Sequence, residues 1–144
     1  GAGGPLIILP AGGSRLPASY ETIERGQHYL QMNGREVYKF AVRMIPRAIQ
    51  EAVDRAGLQI ADVDLFIPHQ ANIRIIDAAA ERLGQPLEKF FVNVDRYGNT
   101  SSASVPVALY EAVKAGRLHR GGVTVLLAFG GGLTWASCAL RWTK

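Results

Sequence analysis

The sequence predicts an α/β fold built on a mixed, mostly parallel sheet. Three observations carry the prediction. Short apolar runs alternate with stretches of helical period, glycine or proline punctuates most junctions, and a triple glycine before the last apolar run turns the final strand back antiparallel. With 144 residues, 48% hydrophobic and 19% charged, the chain has the length and apolar content of one core-bearing domain.

Residues 1–34 hold one apolar run, Leu6 to Leu9, among Gly, Pro and Ser, which reads as a strand. The polar stretch from Tyr20 to Asn33 shows no period and reads as a long loop. From Glu36 the pattern changes: Val37, Phe40, Ala41, Met44, Ile45 and Ala48 open a stripe at steps of three and one that runs to Ala56. This is the apolar face of an amphipathic helix, with Gly57 placed for a left-handed C-terminal cap. Pro46 interrupts it, lacking an N–H and crowding the carbonyl of Val42, and predicts a kink.

Three strand-led units follow. Asp64 to Ile67 is a short buried strand ending at Pro68, and Ile75, Ile76, Ala79, Ala80 and Leu83 mark a helix closed by Gly84. Phe90 to Val94 reads as the next strand, 95–99 as a loop, and Ser102 to Ala115 as a helix ending at Gly116. Val123 to Phe129 is a strand, 130–132 a turn, and Trp135 to Trp142 the last strand, with Ala136, Cys138, Leu140 and Trp142 on one face. That face reads as apolar packing, with Cys138 an inert core residue.

Composition removes several classes of function. A lone cysteine cannot form an internal disulfide and points to a reduced, intracellular, cytoplasmic setting. No apolar run reaches the ~18 residues of a membrane span, and no charged segment leads an apolar one at the N-terminus, so membrane and secretory readings fall away. The sequon Asn99-Thr100-Ser101 is of a kind that arises often by chance. The net charge of +4 and pI near 9.5 come from dispersed residues, with no basic block or basic-aromatic interleaving to mark a nucleic-acid face. His28, His69 and His119 are far apart and lack metal-ligand spacing, so no metal is expected. The start at Gly1 without Met suggests a piece of a longer protein.

In a sheet of this kind the strand-to-helix loops emerge at the carboxyl edge, where open α/β folds bind ligands. Three polar loops meet that description: 68–72 with His69, 97–101 with Asn99, and 129–132 with its glycines. They supply an imidazole, carboxamides and backbone N–H groups, the donors a developing oxyanion needs. Each feature also has a plain reading, since a loop histidine is often structural, Asn after Gly is ordinary turn chemistry, and glycines make tight turns. Neither a dinucleotide fingerprint nor a phosphate loop with its Lys is present. Arg74 falls in the first turn of a helix, where a cation opposes the macrodipole, by chance or to face an anionic partner.

The segments Pro68-His69-Gln70-Ala71-Asn72-Ile73-Arg74, Gly98-Asn99-Thr100-Ser101-Ser102-Ala103-Ser104-Val105-Pro106 and Ala128-Phe129-Gly130-Gly131-Gly132-Leu133-Thr134-Trp135 closely resemble β-ketoacyl-acyl-carrier-protein synthase III. Met32 to Tyr38 fits too, and the match runs from about residue 32 to Trp142, while 10–31 looks like a family-variable loop. The resemblance implies a thiolase-like fold of two similar halves with helices on both faces of the sheet. Residues 1–144 correspond to the C-terminal half, 1–34 being its first strand and variable loop. It implies a Cys-His-Asn triad in which His69 and Asn99 are the catalytic members present and the nucleophilic Cys lies in the absent N-terminal half. Gly131 would serve the oxyanion hole. Met32, Gly34, Tyr38, Asn72 and Phe129 would line the pantetheine tunnel, with Tyr38 standing where a Phe is expected. Gln70, Ala71, Asn72, Ile73 and Arg74 would contact the acidic carrier protein.

The implied reaction is decarboxylative condensation of an acyl-CoA primer, such as acetyl-CoA, with malonyl carrier protein, which initiates fatty-acid synthesis. Coenzyme A enters as a thioester substrate and no cofactor is expected. The implied partners are acyl carrier protein, acyl-CoA, the N-terminal half and a second copy in a homodimer, with no nucleic acid and no membrane; this chain alone is expected to be inactive. Three rivals are a self-contained triad of Cys138, His69 and Asn99, a related thiolase-fold acyltransferase acting on an amine or hydroxyl, and an inactive carrier-protein-binding fragment.

Overall fold

The N-terminal stretch carries more structure than its polar composition suggests. In the computed structural model, which describes residues 1–144, β1 (Ile7–Ile8) is followed by one helical turn, α1 (Tyr20–Glu24), where a loop is expected. Ser19 starts that turn through a reciprocal capping box: its Oγ accepts from Thr22 N at 3.2 Å and Thr22 Oγ1 accepts from Ser19 N at 2.9 Å. β2 (Gln31–Met32) then pairs antiparallel with β1, Ile7 opposite Met32. Residues 1–40 and 130–134 form one compact unit; 41–129 and 135–144 form another.

α2 (Gly34–Arg55) begins three residues before Val37 opens the apolar stripe because Asn33 caps it, its Oδ1 accepting from Glu36 N at 3.2 Å. The stripe lies buried as its period predicts, with Ala41, Ile45, Ala48, Ile49 and Val53 almost fully covered. The helix runs through Pro46 without interruption. Proline has no N–H to offer the Val42 carbonyl, and that carbonyl instead accepts from Arg82 Nη1 at 2.7 Å. A side chain from a neighbouring helix thus repairs the gap in the ladder.

β3 (Leu65–Pro68) is wholly buried. α3 (Ile73–Leu83) follows it, capped at one end by Asn72, whose Oδ1 accepts from Arg74 N at 2.9 Å. At the other end Gly84 takes the left-handed φ of 61° that a C-terminal cap requires. The next expected strand, Phe90 to Val94, does not form. Phe90 makes a single parallel bridge to Phe66, with the two rings stacked at 4.7 Å, and the chain then turns into a one-turn helix, α4 (Val94–Tyr97). The reason is a side chain that substitutes for a neighbouring strand: Gln70 Nε2 donates to Phe91 O at 3.0 Å and Gln70 Oε1 accepts from Asn93 N at 2.9 Å. Backbone groups that would have joined the sheet are satisfied where they stand.

α5 (Ser104–Lys114) packs its Ala108 and Ala112 against Leu65, Ile67 and Phe91. β4 (Val123–Gly130) pairs parallel with β3, Leu65 opposite Thr124 through Pro68 opposite Leu127. After the turn at 131–133, β5 (Thr134–Arg141) returns beside β4, giving the order β3-β4-β5. Reciprocal bonds of Trp142 with Gly121 (2.7 Å) and Gly122 (2.8 Å) make that pairing antiparallel. The sheet is therefore mixed, and the fold is α/β. One expectation about β5 is reversed. Ala136, Cys138 and Leu140 do share a face, but it is exposed. Ser137 Oγ donates to Ala48 O at 2.8 Å, which turns the alternate residues inward toward α2 and leaves Cys138 on the outer face.

Candidate functional site

β3 delivers His69 as the first residue beyond its end, with His69 N continuing the parallel ladder to Leu127 O at 2.7 Å. The side chain is buried at 8% exposure, and its ring meets Phe129 edge-on with centroids 5.3 Å apart. Nδ1 lies 2.5 Å from Ser104 Oγ, at the start of α5. That hydroxyl also accepts from Gln70 N at 3.3 Å. In the Nε2–H tautomer the hydroxyl gives its own proton to Nδ1 and the ring N–H is left on the opposite nitrogen. Burial holds the imidazole pKa below its ordinary value of 6.5, so the ring is neutral at pH 7.

Gln70 is 1% exposed and faces inward. Besides its bonds to Phe91 and Asn93 it donates from Nε2 to Pro68 O at 2.8 Å. A side chain spent this way is not available to a docking protein, which removes Gln70 from the expected contact set. It ties the His69 segment to the segment that leads to Asn99.

Asn99 sits beyond α4, after Gly98, whose φ of 65° reverses the chain. It is exposed, and its Oδ1 accepts from Ser101 N at 2.9 Å, an Asx turn that leaves the amide hydrogens of Nδ2 for an outside acceptor. Asn72 and Asn99 lie together on a cleft of about 450 Å³ whose other walls include Ala71, Ile73, Val92, Val94 and Asp95. Arg74 is exposed in the first turn of α3 and Ile73 is 39% exposed. Met32 on β2 is 60% exposed, Gly34 opens α2, and Tyr38 is 40% exposed on its first turns. Gly131 lies in the turn after β4, its carbonyl accepting from Thr134 Oγ1 at 3.1 Å.

Three residues at this site escaped the sequence reading. Ser104, which engages the imidazole, is 35 residues from His69 and stands in a run of small residues with nothing to distinguish it. Asn93 and Glu111 join the loop before Asn99 to α5, Asn93 Nδ2 donating to Glu111 Oε2 at 2.9 Å. Their separation of 18 residues matches no local period.

Residues 53–142 match the family model described as 3-oxoacyl-[acyl-carrier-protein] synthase III, C terminal. A β-ketoacyl-[acyl-carrier-protein] synthase III of Symbiobacterium thermophilum is 58% identical over 144 residues, which is all of this chain and 44% of that relative. Among solved structures, the synthase III of Thermus thermophilus matches 99% of this chain and 43% of its own at 53% identity and a TM-score of 0.87. That of Pseudomonas aeruginosa matches 98% and 42% at 38% identity and a TM-score of 0.86. The chain thus spans less than half the length of the relatives it matches. No helix is long and apolar enough to cross a membrane.

Proposed function

The chain belongs to the β-ketoacyl-[acyl-carrier-protein] synthase III family, as its C-terminal part, and from that premise we propose that it supplies the decarboxylation half of a decarboxylative condensation between an acyl-CoA and malonyl carrier protein. The observation that carries the reading is His69: a buried imidazole, its pKa lowered by burial, whose Nδ1 is engaged by Ser104; we take it in the tautomer that presents Nε2–H as the donor.

In this reading the rest of the protein contributes the cysteine that accepts the primer acyl group, with a backbone N–H near Gly131 serving the oxyanion of that step. When malonyl carrier protein binds, the bond between its carboxylate and the α-carbon breaks. Carbon dioxide leaves, and the electron pair moves onto the thioester oxygen to make an enolate. His69 Nε2–H and the Asn99 carboxamide N–H stabilise that charge, and the carbanion carbon attacks the acyl-enzyme thioester to release the cysteine. Two neutral donors held in a partly desolvated site suit a charge that appears only in the transition state. Asn72 and Phe129, with Met32, Gly34 and Tyr38, would line the pantetheine arm. Ala71, Asn72, Ile73 and Arg74 would meet the carrier protein, the cation of Arg74 attracting an acidic surface.

The test separates the two half-reactions in the full-length enzyme that carries this chain. His69→Ala or Asn99→Ala should lower malonyl-carrier-protein decarboxylation by ~10²–10³. Acylation by acetyl-CoA, followed by intact mass, should persist. Equal loss of both steps, or undiminished decarboxylation, would overturn the assignment.

A further inference from the structure

The two donors of the proposed site are governed from one helix. Ser104, at the start of α5, engages His69; Glu111, seven residues on and so two turns along the same face, reaches the loop that ends in Asn99. The Glu111 carboxylate accepts four hydrogen bonds from three residues of that loop. Asn93 Nδ2 donates to Oε2 at 2.9 Å, Arg96 donates through Nη2 to Oε2 at 2.7 Å and through Nη1 to Oε1 at 3.2 Å, and the Tyr97 hydroxyl donates to Oε1 at 2.6 Å. The side chain is only 16% exposed. These partners span α4, a single turn too short to hold its shape unaided, and Asn99 follows after one glycine.

The geometry points to Glu111 as a positioning residue for Asn99: its charge fixes the turn that aims the carboxamide, as Ser104 fixes the imidazole. This rests on the decarboxylation reading above. A neutral amide at 111 cannot serve the same partners, because in either flip its NH₂ would face an N–H donor of Arg96, and in one of them that of Asn93 as well. The turn would then relax by fractions of an ångström, and misplacing a donor by about 1 Å costs up to ~10²-fold in rate.

In the full-length enzyme, Glu111→Gln should lower decarboxylation by ~10–100-fold with acylation by acetyl-CoA unchanged. In an Asn99→Ala background the same substitution should cause no further loss, because its effect passes through Asn99. A purely structural role would instead multiply the two losses, or leave decarboxylation per folded molecule untouched, and either result overturns the proposal. Tyr97→Phe, which deletes one of the four bonds, should give a smaller loss in the same step and serves if Glu111→Gln does not fold. A readout independent of turnover is the Asn99 side-chain amide resonance in ¹⁵N-Asn-labelled enzyme, assigned by its absence in Asn99→Ala. It should shift in Glu111→Gln while the Asn33 resonance stays. An unmoved Asn99 resonance overturns the positioning role even if the enzyme decarboxylates nothing, whereas a shifted resonance without any decarboxylation sinks the functional reading alone.

Discussion

A histidine that is buried, edge-on to an aromatic ring and paired at Nδ1 with a serine hydroxyl responds to pH in one direction. Its folded pKa lies below 6.5, so between the two values the unfolded chain takes up a proton that the folded chain refuses. The stability that His69 contributes is therefore complete above pH 6.5 and shrinks as pH falls from there toward the folded pKa. Activity follows the same logic, since the neutral ring is the proposed donor. We expect the acid limb of malonyl decarboxylation to lie below pH 6.5, measured as a rate profile on the full-length enzyme. A limb centred above 6.5 would contradict a buried neutral imidazole. Asn99 has no charge to titrate, and its contribution should be flat across the same range. Glu111 is held below the ordinary carboxylate range, chiefly by the Tyr97 hydroxyl and then by Asn93. Its grip on the loop is thus present through neutral pH and lost only when acid protonates the carboxylate below that range.

At the scale of elements, local rules and tertiary contacts part company at identifiable residues. The stripe of α2, the cap at Gly84 and the strands at 65–68 and 123–130 were legible because periodicity and punctuation agree there. The strand at 90–94 was not, because the competitor is the Gln70 side chain, and no local pattern announces that a glutamine will satisfy backbone groups 21 and 23 residues away. The catalytic candidates were legible only as motifs. What orients them, Ser104 and Glu111, depends on α5 lying against β3, which is a contact and not a pattern. Pro46 shows the same division. The missing N–H was readable, whereas the Arg82 guanidinium that serves the Val42 carbonyl was not. Arg82→Ala should leave that carbonyl unsatisfied and destabilise the fold by about 1–3 kcal/mol, read by denaturant unfolding. Restoring an N–H in the double variant Arg82→Ala, Pro46→Ala should recover much of the loss. If Arg82→Ala alone changes nothing, water serves the carbonyl and the repair is dispensable.

For the whole molecule, the outer face of β5 decides how the chain behaves in company. Leu140 on that face is 38% exposed, Trp135 on the strand's other side is 47% exposed, and the strand lies at the end of the order β3-β4-β5. An exposed sheet margin with apolar side chains favours association. The chain spans 44% of a relative with which it shares 58% identity, and in a longer protein this margin is expected to be covered. Cys138 stands on the same strand, exposed, and is the single cysteine of the sequence. It amounts to a built-in footprinting label that needs no engineering. A thiol-specific alkylating agent should modify the isolated chain once and quickly, and the same residue in the full-length enzyme slowly, followed as one mass increment on one peptide. Equal rates in the two would mean that the β5 face stays open to solvent throughout.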